Sequence, residues 1–316
     1  MPHNILIIGA TGNTGRSVLA HLPALLTSAG LDYQILALTR SLTSPASQSL
    51  SLLPRVTIVE KDWTAITAPW LLANSVQRIY IAPHNLPTQF FDESALLVAA
   101  LAAGVKYIVK LSTNLCFIDP TSPVYYGRTH WAVEELLSTP EYGDVMWTAL
   151  RPNVFTSSFL GNAVGWIREY RETGTQTCLN VIPAADVPIA LIDPVDVGRA
   201  AAALLALPDP SPHNRKRYVL SGPADVTGRD IADIVGREAG VPVAETKFQY
   251  QDWLEGLASQ GYGESAVGSI RTGIEMVWDG RSGLECAPTA GEMLGLCPPR
   301  VGVAESLRAA LEERGE

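Results

Sequence analysis

The chain has 316 residues, of which 47% are apolar, and carries a formal net charge of −9. This length and composition predict a sizeable core in one large domain or two unequal ones. No basic run is present and no apolar run reaches about 18 residues, so we expect neither nucleic-acid nor membrane binding. The four cysteines have no CxxC or zinc-type spacing. We therefore expect free thiols, no metal and a cytoplasmic protein.

Short apolar runs alternate with segments of helical period through the first half of the chain. The predicted strands are 5–8, 33–38, 56–60, 78–82, 107–111 and 146–150, and the predicted helices are 15–26, 64–73, 91–103 and 130–137. Alternation of this kind is typical of the α/β class. It predicts a Rossmann-type, doubly wound parallel sheet with helices on both faces.

The regular alternation of strand and helix patterns ends after Arg151-Pro152. Helical patterns cover 154–170, 196–204, 227–239, 249–260, 264–276 and 303–313, with strand-like pieces at 179–192 and 218–221. Asp196 has the position of an N-cap residue. We expect a smaller α/β C-terminal lobe, whose boundary with the first domain is not sharp. Residues 1–152 would form the nucleotide-binding domain, and 153–316 mainly the substrate-binding lobe, with later segments returning to the first domain.

A glycine-rich turn separates the first predicted strand from the first predicted helix. Its spacing is GxxGxxG, and such glycines permit a tight turn, close approach to a pyrophosphate and close helix packing. The helix N-terminus then faces the phosphates. The alternative is a purely structural turn. The residues expected to contact the phosphates are Gly9, Thr11, Gly12, Asn13, Thr14 and Gly15.

The end of the second predicted strand distinguishes the two nicotinamide dinucleotides. An NAD site usually has a carboxylate there for the ribose 2′-hydroxyl. This chain has Arg40 followed by Ser41. The guanidinium group suits a 2′-phosphate and the serine offers a hydroxyl, so NADP(H) is predicted. The alternative is a solvated surface arginine.

Ligands of open α/β sheets gather at the carboxyl ends of the strands. The residues that follow the third, fourth and fifth predicted strands are therefore expected along the cofactor path: Asp62, Trp63, Ala82, Pro83, His84 and Ser112. Asp62 has two interpretations, since it either meets the adenine or caps the helix that follows it.

The motifs IIGATGNTG, ALTRS, KLST, HWAVEELL and WTALRPNVF occur in this order. Together they resemble the NmrA-like group of atypical short-chain dehydrogenases/reductases, and the second lobe is similar to fungal alkaloid-type (festuclavine and agroclavine) dehydrogenases. The resemblance implies an NADP(H)-dependent oxidoreductase of secondary metabolism, in particular alkaloid biosynthesis. It also implies that Pro152, Asn153, Val154 and Phe155 run past the nicotinamide, with the substrate pocket along the following helix.

Classical members of the wider family use a tyrosine and a lysine four residues later. This chain has Tyr126 and His130 at that spacing, and on a helix they share one face. His130 could hold the ribose or donate a proton, since histidine titrates near neutrality. Ser112 is a candidate donor to the substrate. The alternative is that Tyr126 and His130 are ordinary helix residues, and Glu134 is expected in a structural ion pair.

Without the lysine, the sequence favours acceptors that need little protonation: an imine, an iminium ion, or an activated alkene or carbonyl. The residues expected to line the pocket of such a small hydrophobic substrate are Phe117, Tyr126, Phe155, Phe159 and Trp166.

Segment 253–262 is either a lid or a packing helix. Two other functions remain open: a non-redox NADP-binding enzyme that steers a cyclisation, and an NADP(H)-sensing regulatory protein. We expect a monomer or homodimer.

Overall fold

The computed structural model describes residues 3–312. Its strands are β1 (His3–Ile8), β2 (Tyr33–Thr39), β3 (Val56–Glu60), β4 (Val76–Ile81), β5 (Tyr107–Leu111), β6 (Met146–Pro152), β7 (Leu179–Asn180), β8 (Lys216–Leu220) and β9 (Thr246–Lys247). Its helices are α1 (Asn13–Ser28), α2 (Pro45–Leu50), α3 (Ala68–Ala73), α4 (Gln89–Ala102), α5 (Tyr125–Ser138), α6 (Thr156–Phe159), α7 (Gly161–Thr173), α8 (Pro194–Leu205), α9 (Gly228–Ala239), α10 (Glu264–Val277), α11 (Gly291–Leu296) and α12 (Val303–Glu312). Five 3₁₀ segments, including Trp63–Ala65 and Asp252–Gln260, connect them.

The main sheet has seven parallel strands in the order β3-β2-β1-β4-β5-β6-β8. Strands β2 and β3 are added on one side of β1, and β4, β5, β6 and β8 are added on the other. This order confirms the predicted Rossmann-type doubly wound fold. The reversal between β1 and β4 opens a crevice at the carboxyl ends of these strands, which is where such sheets bind ligands.

Alternate side chains of the central strands enter two apolar layers. Ile5 and Ile7 of β1 pack into the layer that holds α1 and α8, whereas Leu6 and Ile8 pack into the layer that holds α4 and α5. All four side chains are almost completely buried. The period of two in a strand, buried on both faces, explains why these strands read as continuous apolar runs.

The second half of the chain is divided between the main sheet and a smaller lobe. β8 extends the sheet beside β6, and α8 packs along α1. Arg78 of β4 holds the end of α8 by donating to the carbonyl oxygens of Leu205 and Leu207, at 2.6 and 2.7 Å. The pair β7–β9 and helices α7, α9, α10 and α12 surround a third apolar cluster. Segments after residue 152 thus contribute β8 and α8 to the layers of the main sheet.

Four local predictions need correction. The predicted helix 249–260 is a 3₁₀ segment that covers Asp252–Gln260. The predicted helix 154–170 is divided into α6 and α7 at Leu160, and the predicted helix 64–73 is a 3₁₀ turn followed by α3. The N-cap of α8 is Asp193, which accepts from the Val195 amide at 2.8 Å, because Pro194 occupies the first helical position. The last predicted helix reaches residue 313, which lies outside the described residues.

Candidate active site

Three glycines shape the turn between β1 and α1. Gly9 has a φ of +79°, and a Cβ built on it would lie 2.7 Å from the carbonyl oxygen of Ala82, just after β4. A Cβ on Gly15 would lie 2.1 Å from the carbonyl oxygen of Gly9. Because both contacts are with main-chain atoms, neither position accepts a side chain unless the backbone moves. The turn therefore has the shape that lets the main chain approach a phosphate closely.

The first turn of α1 presents free main-chain donors. Gly12 is the N-cap residue and supplies no side-chain cap, and no acidic residue lies in the first turn. The amides and the helix dipole thus favour an anion. Asn13 is exposed and Thr11 half-buried. Thr14 is buried and its hydroxyl oxygen accepts a hydrogen bond from the Tyr80 hydroxyl at 2.9 Å, which orients the hydroxyl and leaves its own proton to donate.

The segment after β2 carries Arg40 and a group of hydroxyl side chains. Arg40 is exposed, and no carboxylate within residues 3–312 forms an ion pair with it. Thr39 and Ser47 both donate to the carbonyl oxygen of Ser41, at 3.0 and 2.8 Å. The Ser41 hydroxyl lies 3.0 Å from that of Thr43. These bonds order the segment and leave the guanidinium available to a ligand.

The residues that follow β3 and β4 contact their own turns and one another. Asp62 accepts from the amide and the hydroxyl of Thr64, at 2.9 and 2.8 Å, and these bonds lower the pKa of its carboxyl. It therefore caps the 3₁₀ turn Trp63–Ala65, which is one of its two predicted roles, and a contact with the adenine stays a prediction. Trp63 contacts the His84 ring with centroids 5.6 Å apart, and His84 Nε2 lies 3.3 Å from an Asp92 carboxylate oxygen.

A cavity of about 470 Å³ lies at the carboxyl ends of β4, β5 and β6. Pro83 and the segments 111–114 and 152–155 line one side, and Phe159 of α6 and Ile274 of α10 line the other. None of the residues that line it, among those described, is an aspartate, glutamate, lysine or arginine. A molecule in this cavity therefore meets apolar and uncharged polar groups.

Asn153 connects the segments behind the cavity. Its Nδ2 donates to the Ser221 hydroxyl at 3.0 Å and to the Ser282 carbonyl at 2.8 Å, and its Oδ1 accepts from Asn114 at 2.9 Å and from the Val154 amide at 2.8 Å. Both ends of the amide are thus occupied. Asn153 was expected to contact the cofactor, but its side chain instead fixes the path of the 152–155 segment along the cavity.

Ser112 does not fit its predicted catalytic role. Its hydroxyl donates to a carboxylate oxygen of Glu134 at 2.6 Å, and a serine has only one such proton. Glu134 is fully buried and also accepts from Arg151 and Arg217, the latter at 2.9 Å. Glu134 is thus the centre of a structural ion-pair network, as expected, and Ser112 belongs to that network.

Tyr126 stands at the cavity wall within an aromatic group. Its ring meets those of Phe117 and Tyr125 edge to face, with centroids 5.8 and 5.4 Å apart. Burial raises the pKa of its phenol, and the neighbouring Cys116 and Tyr125 raise it further. The phenol therefore stays protonated at neutral pH, when it can donate a hydrogen bond but does not release its proton readily.

His130 shares the cavity wall with Tyr126 but differs from its prediction. Burial, reinforced by the charge of Lys110, holds the pKa of the imidazole well below its usual value. The expectation that His130 titrates near neutrality is therefore wrong: the ring is neutral. Lys110 Nζ lies 2.9 Å from Nδ1 of His130 and 2.9 Å from a Glu93 carboxylate oxygen. Sequence spacing did not identify Lys110 or Glu93, because they come from β5 and α4.

Among the predicted substrate-contacting residues, Phe117, Tyr126, Phe155 and Phe159 line the cavity. Trp166 does not: its indole donates to the Thr177 carbonyl at 2.7 Å and its ring stacks on Tyr170. It lies on α7, about two turns beyond the break at Leu160. Trp253, Leu257 and Tyr262 close the cavity from the segment predicted as lid or packing helix.

Residues 1–272 match the model of the NmrA-like family. The chain belongs to the NmrA-like family. It is 28% identical over 267 residues to the NAD(P)H azoreductase of Xenophilus azovorans, covering 84% of each chain. It is 29% identical over 251 residues to the (4-alkanoyl-5-oxo-2,5-dihydrofuran-3-yl)methyl phosphate reductase of Streptomyces griseus, covering 77% of this chain and 79% of the relative.

The fold is also found in a solved NADP(H) complex. The triphenylmethane reductase of Citrobacter sp. superposes with a TM-score of 0.71 at 19% identity, covering 98% of this chain and 100% of that one. These comparisons agree with the prediction of an NADP(H)-dependent oxidoreductase. The closer similarity to fungal alkaloid dehydrogenases, the cytoplasmic location and the oligomeric state stay predictions. No helix within residues 3–312 is both long and apolar enough to cross a bilayer.

Proposed function

We propose that this protein is an NADP(H)-dependent reductase of a small, hydrophobic and already activated acceptor: an imine, an iminium ion, or a conjugated alkene or carbonyl compound. The observation that carries the proposal is the uncharged, aromatic-lined cavity beside the glycine-rich turn. Bound NADPH supplies the hydride. A secondary metabolite, alkaloids included, is the substrate class that this cavity suits best.

The chain's own residues fit the dinucleotide. The turn at Gly9, Gly12 and Gly15 leaves room only for main chain, so a pyrophosphate can approach the free amides of α1. Arg40 offers its guanidinium where an NAD-specific protein has a carboxylate. NADP(H) binding is supported by these features and by the NAD(P)H and NADP(H) named for its relatives.

The cavity residues orient the acceptor and exclude water. Phe117, Phe155 and Phe159 present apolar surface, and such surface favours a flat, poorly hydrated molecule. Tyr126 and His130 are uncharged at neutral pH, so each can donate a hydrogen bond but neither is a strong acid. Acceptors that are already electron-poor need no more than this, which supports reduction of activated substrates over oxidation of simple alcohols.

The charge of the cavity also separates this protein from one of its relatives. The Streptomyces griseus enzyme is named for a phosphate ester. No arginine or lysine is among the described residues that line this cavity, and phosphate recognition normally uses such groups. We therefore infer that phosphorylated acceptors are excluded here.

The test follows oxidation of NADPH by the purified protein with a panel of acceptors. The panel contains a cyclic iminium ion, a quinone, an azo dye, an aromatic enone alcohol and the phosphate ester of that alcohol. We expect turnover with at least one uncharged or cationic acceptor and none with the phosphate ester. Tight NADPH binding without oxidation by any acceptor would contradict the proposal and favour the cyclase or sensor alternatives.

A further inference from the structure

A buried pair of opposite charges lies directly behind the cavity wall. The side chains of Lys110 and Glu93 have no exposed surface, and Nζ lies 2.9 Å from Oε2. They stand in the layer between the sheet and helices α4 and α5, among residues such as Ile108 and Val133. Burying two charges is costly, and apolar replacements of such pairs are often neutral or stabilising. Stability alone therefore gives no reason for this pair.

The hydrogen bonds of Lys110 connect the pair to the active site. In addition to its ion pair with Glu93, the ammonium group donates hydrogen bonds to the Leu111 carbonyl at 3.1 Å and to Nδ1 of His130 at 2.9 Å. An ammonium group can only donate, so Nδ1 must accept. The single proton of the neutral imidazole is then on Nε2.

The other ring nitrogen has no in-line partner within residues 3–312. The amide nitrogen of Gln89 donates to Glu93 at 2.7 Å and lies 3.4 and 3.2 Å from the two nitrogens of the His130 ring. Nearly equal distances place it beside the ring, out of line with the Nε2 proton. Glu134, one turn further along α5, is held by Ser112, Arg151 and Arg217. His130 meanwhile lines the cavity.

We propose that Lys110 is a positioning residue, which occupies Nδ1 of His130 and thereby fixes the tautomer that presents Nε2–H as a hydrogen-bond donor to an oxygen atom of the acceptor. Glu93 is the ion-pair partner of Lys110, with Oε2 2.9 Å from Nζ, and holds the ammonium group beside the His130 ring. In this arrangement a lysine acts from β5 in place of the lysine that short-chain dehydrogenases carry on the helix. The role of the donated hydrogen bond rests on the proposed function.

The first experiment reads the tautomer directly. The full-length protein is labelled with ¹⁵N-histidine, and the His130 ring signals are assigned by their loss in His130→Phe. We expect the long-range ¹H–¹⁵N spectrum of the wild type to show the Nε2–H form, unchanged between pH 6 and pH 8. An Nδ1–H form or an imidazolium would overturn the proposal.

The variant for comparison removes both charges together. Lys110→Met alone would leave Glu93 buried and unpaired, so the double variant Glu93→Gln/Lys110→Met is used. We expect it to fold, to bind NADPH as before and to show mixed tautomers or a titrating His130. Retention of the wild-type tautomer would overturn the proposal. The exposed Lys106→Met, at the start of the same strand, is the matched control and should leave the spectrum unchanged.

Kinetics then test what the donor does. With a quinone, whose oxygen gains negative charge, we expect kcat of the double variant to fall by about 10²-fold while KM for NADPH is unchanged. With an iminium acceptor, which has no such oxygen, kcat should change little. Equal losses with both acceptors would contradict the assigned role. If the wild type reduces no acceptor, the proposed function fails, and the spectra still decide the tautomer.

Discussion

Replacing Arg40 by alanine should weaken NADPH and spare NADH. A 2′-phosphate carries between about −1.5 and −2 charges, and a hydrogen bond to a charged group is worth about 1.5–3 kcal/mol net. Arg40 is exposed, which places its contribution near the lower limit. Glu60 accepts the Leu42 amide at 2.9 Å and forms no ion pair with Arg40 among the described residues. A loss of about 1.5–2 kcal/mol corresponds to a tenfold to thirtyfold weaker Kd for NADPH.

The assay is calorimetric titration of both dinucleotides into the wild type, Arg40→Ala and Arg308→Ala. Arg308 on α12 is 56% exposed and removes the same formal charge far along the chain. We expect Arg40→Ala to bind NADPH more weakly and NADH as before, and Arg308→Ala to bind both as the wild type does. The loss of NADPH affinity in Arg40→Ala should be smaller at high salt. Equal losses of NADPH and NADH would refute the assignment of Arg40 to the 2′-phosphate. Undetectable heat with either dinucleotide would refute the cofactor assignment altogether.

Three further outcomes are expected. Gly15→Ala, whose Cβ would lie 2.1 Å from a main-chain oxygen, should abolish binding of both dinucleotides or destabilise the fold. Gly165→Ala, inside α7 with open space around its Cβ, should leave calorimetric binding unchanged and stabilise the fold by about 0.5–1 kcal/mol in denaturation. Glu134→Gln should lower the free energy of unfolding by about 2 kcal/mol and the half-exposed Glu135→Gln by far less, as measured in urea. Because the unfolded chain protonates His130 near pH 6.5 and the folded chain only at lower pH, stability should fall as pH drops below about 6.5, with a shallower slope in His130→Phe.

The main features of the fold could be predicted from the sequence because they depend on local patterns. A strand buried on both faces needs a continuous apolar run, and the main sheet strands lie within a few residues of their predicted positions. The errors concern helix ends and breaks. The predicted cap, Asp196, lies inside the first turn of α8, because Pro194 occupies the first helical position and Asp193 is the N-cap. The break at Leu160 lies directly before Gly161, and Trp166 on α7 stacks on Tyr170 instead of lining the predicted pocket.

The candidate site could be predicted only where one chain segment makes it. The glycine turn is local, and its shape follows from three residues. The surroundings of His130 are not local: Lys110 comes from β5 and Glu93 from α4. A lysine inside the apolar run Tyr107–Leu111 was a visible signal, because a charge within a buried strand requires a partner. Spacing along the chain could not identify that partner.

The distribution of charge around the cavity supports the choice of activated acceptors. Glu134, Arg151 and Arg217 form one paired network, and Lys110 and Glu93 form another, all outside the cavity lining. In each network the cations are paired with carboxylates, and neither network places a charged side chain among the described residues that line the cavity. A substrate that develops a full alkoxide charge would lack a matching cation from the protein. An iminium substrate loses its positive charge when it accepts hydride, and a conjugated acceptor spreads its negative charge over several atoms. Either substrate needs only neutral hydrogen-bond donors and a dry, polarisable cavity lining.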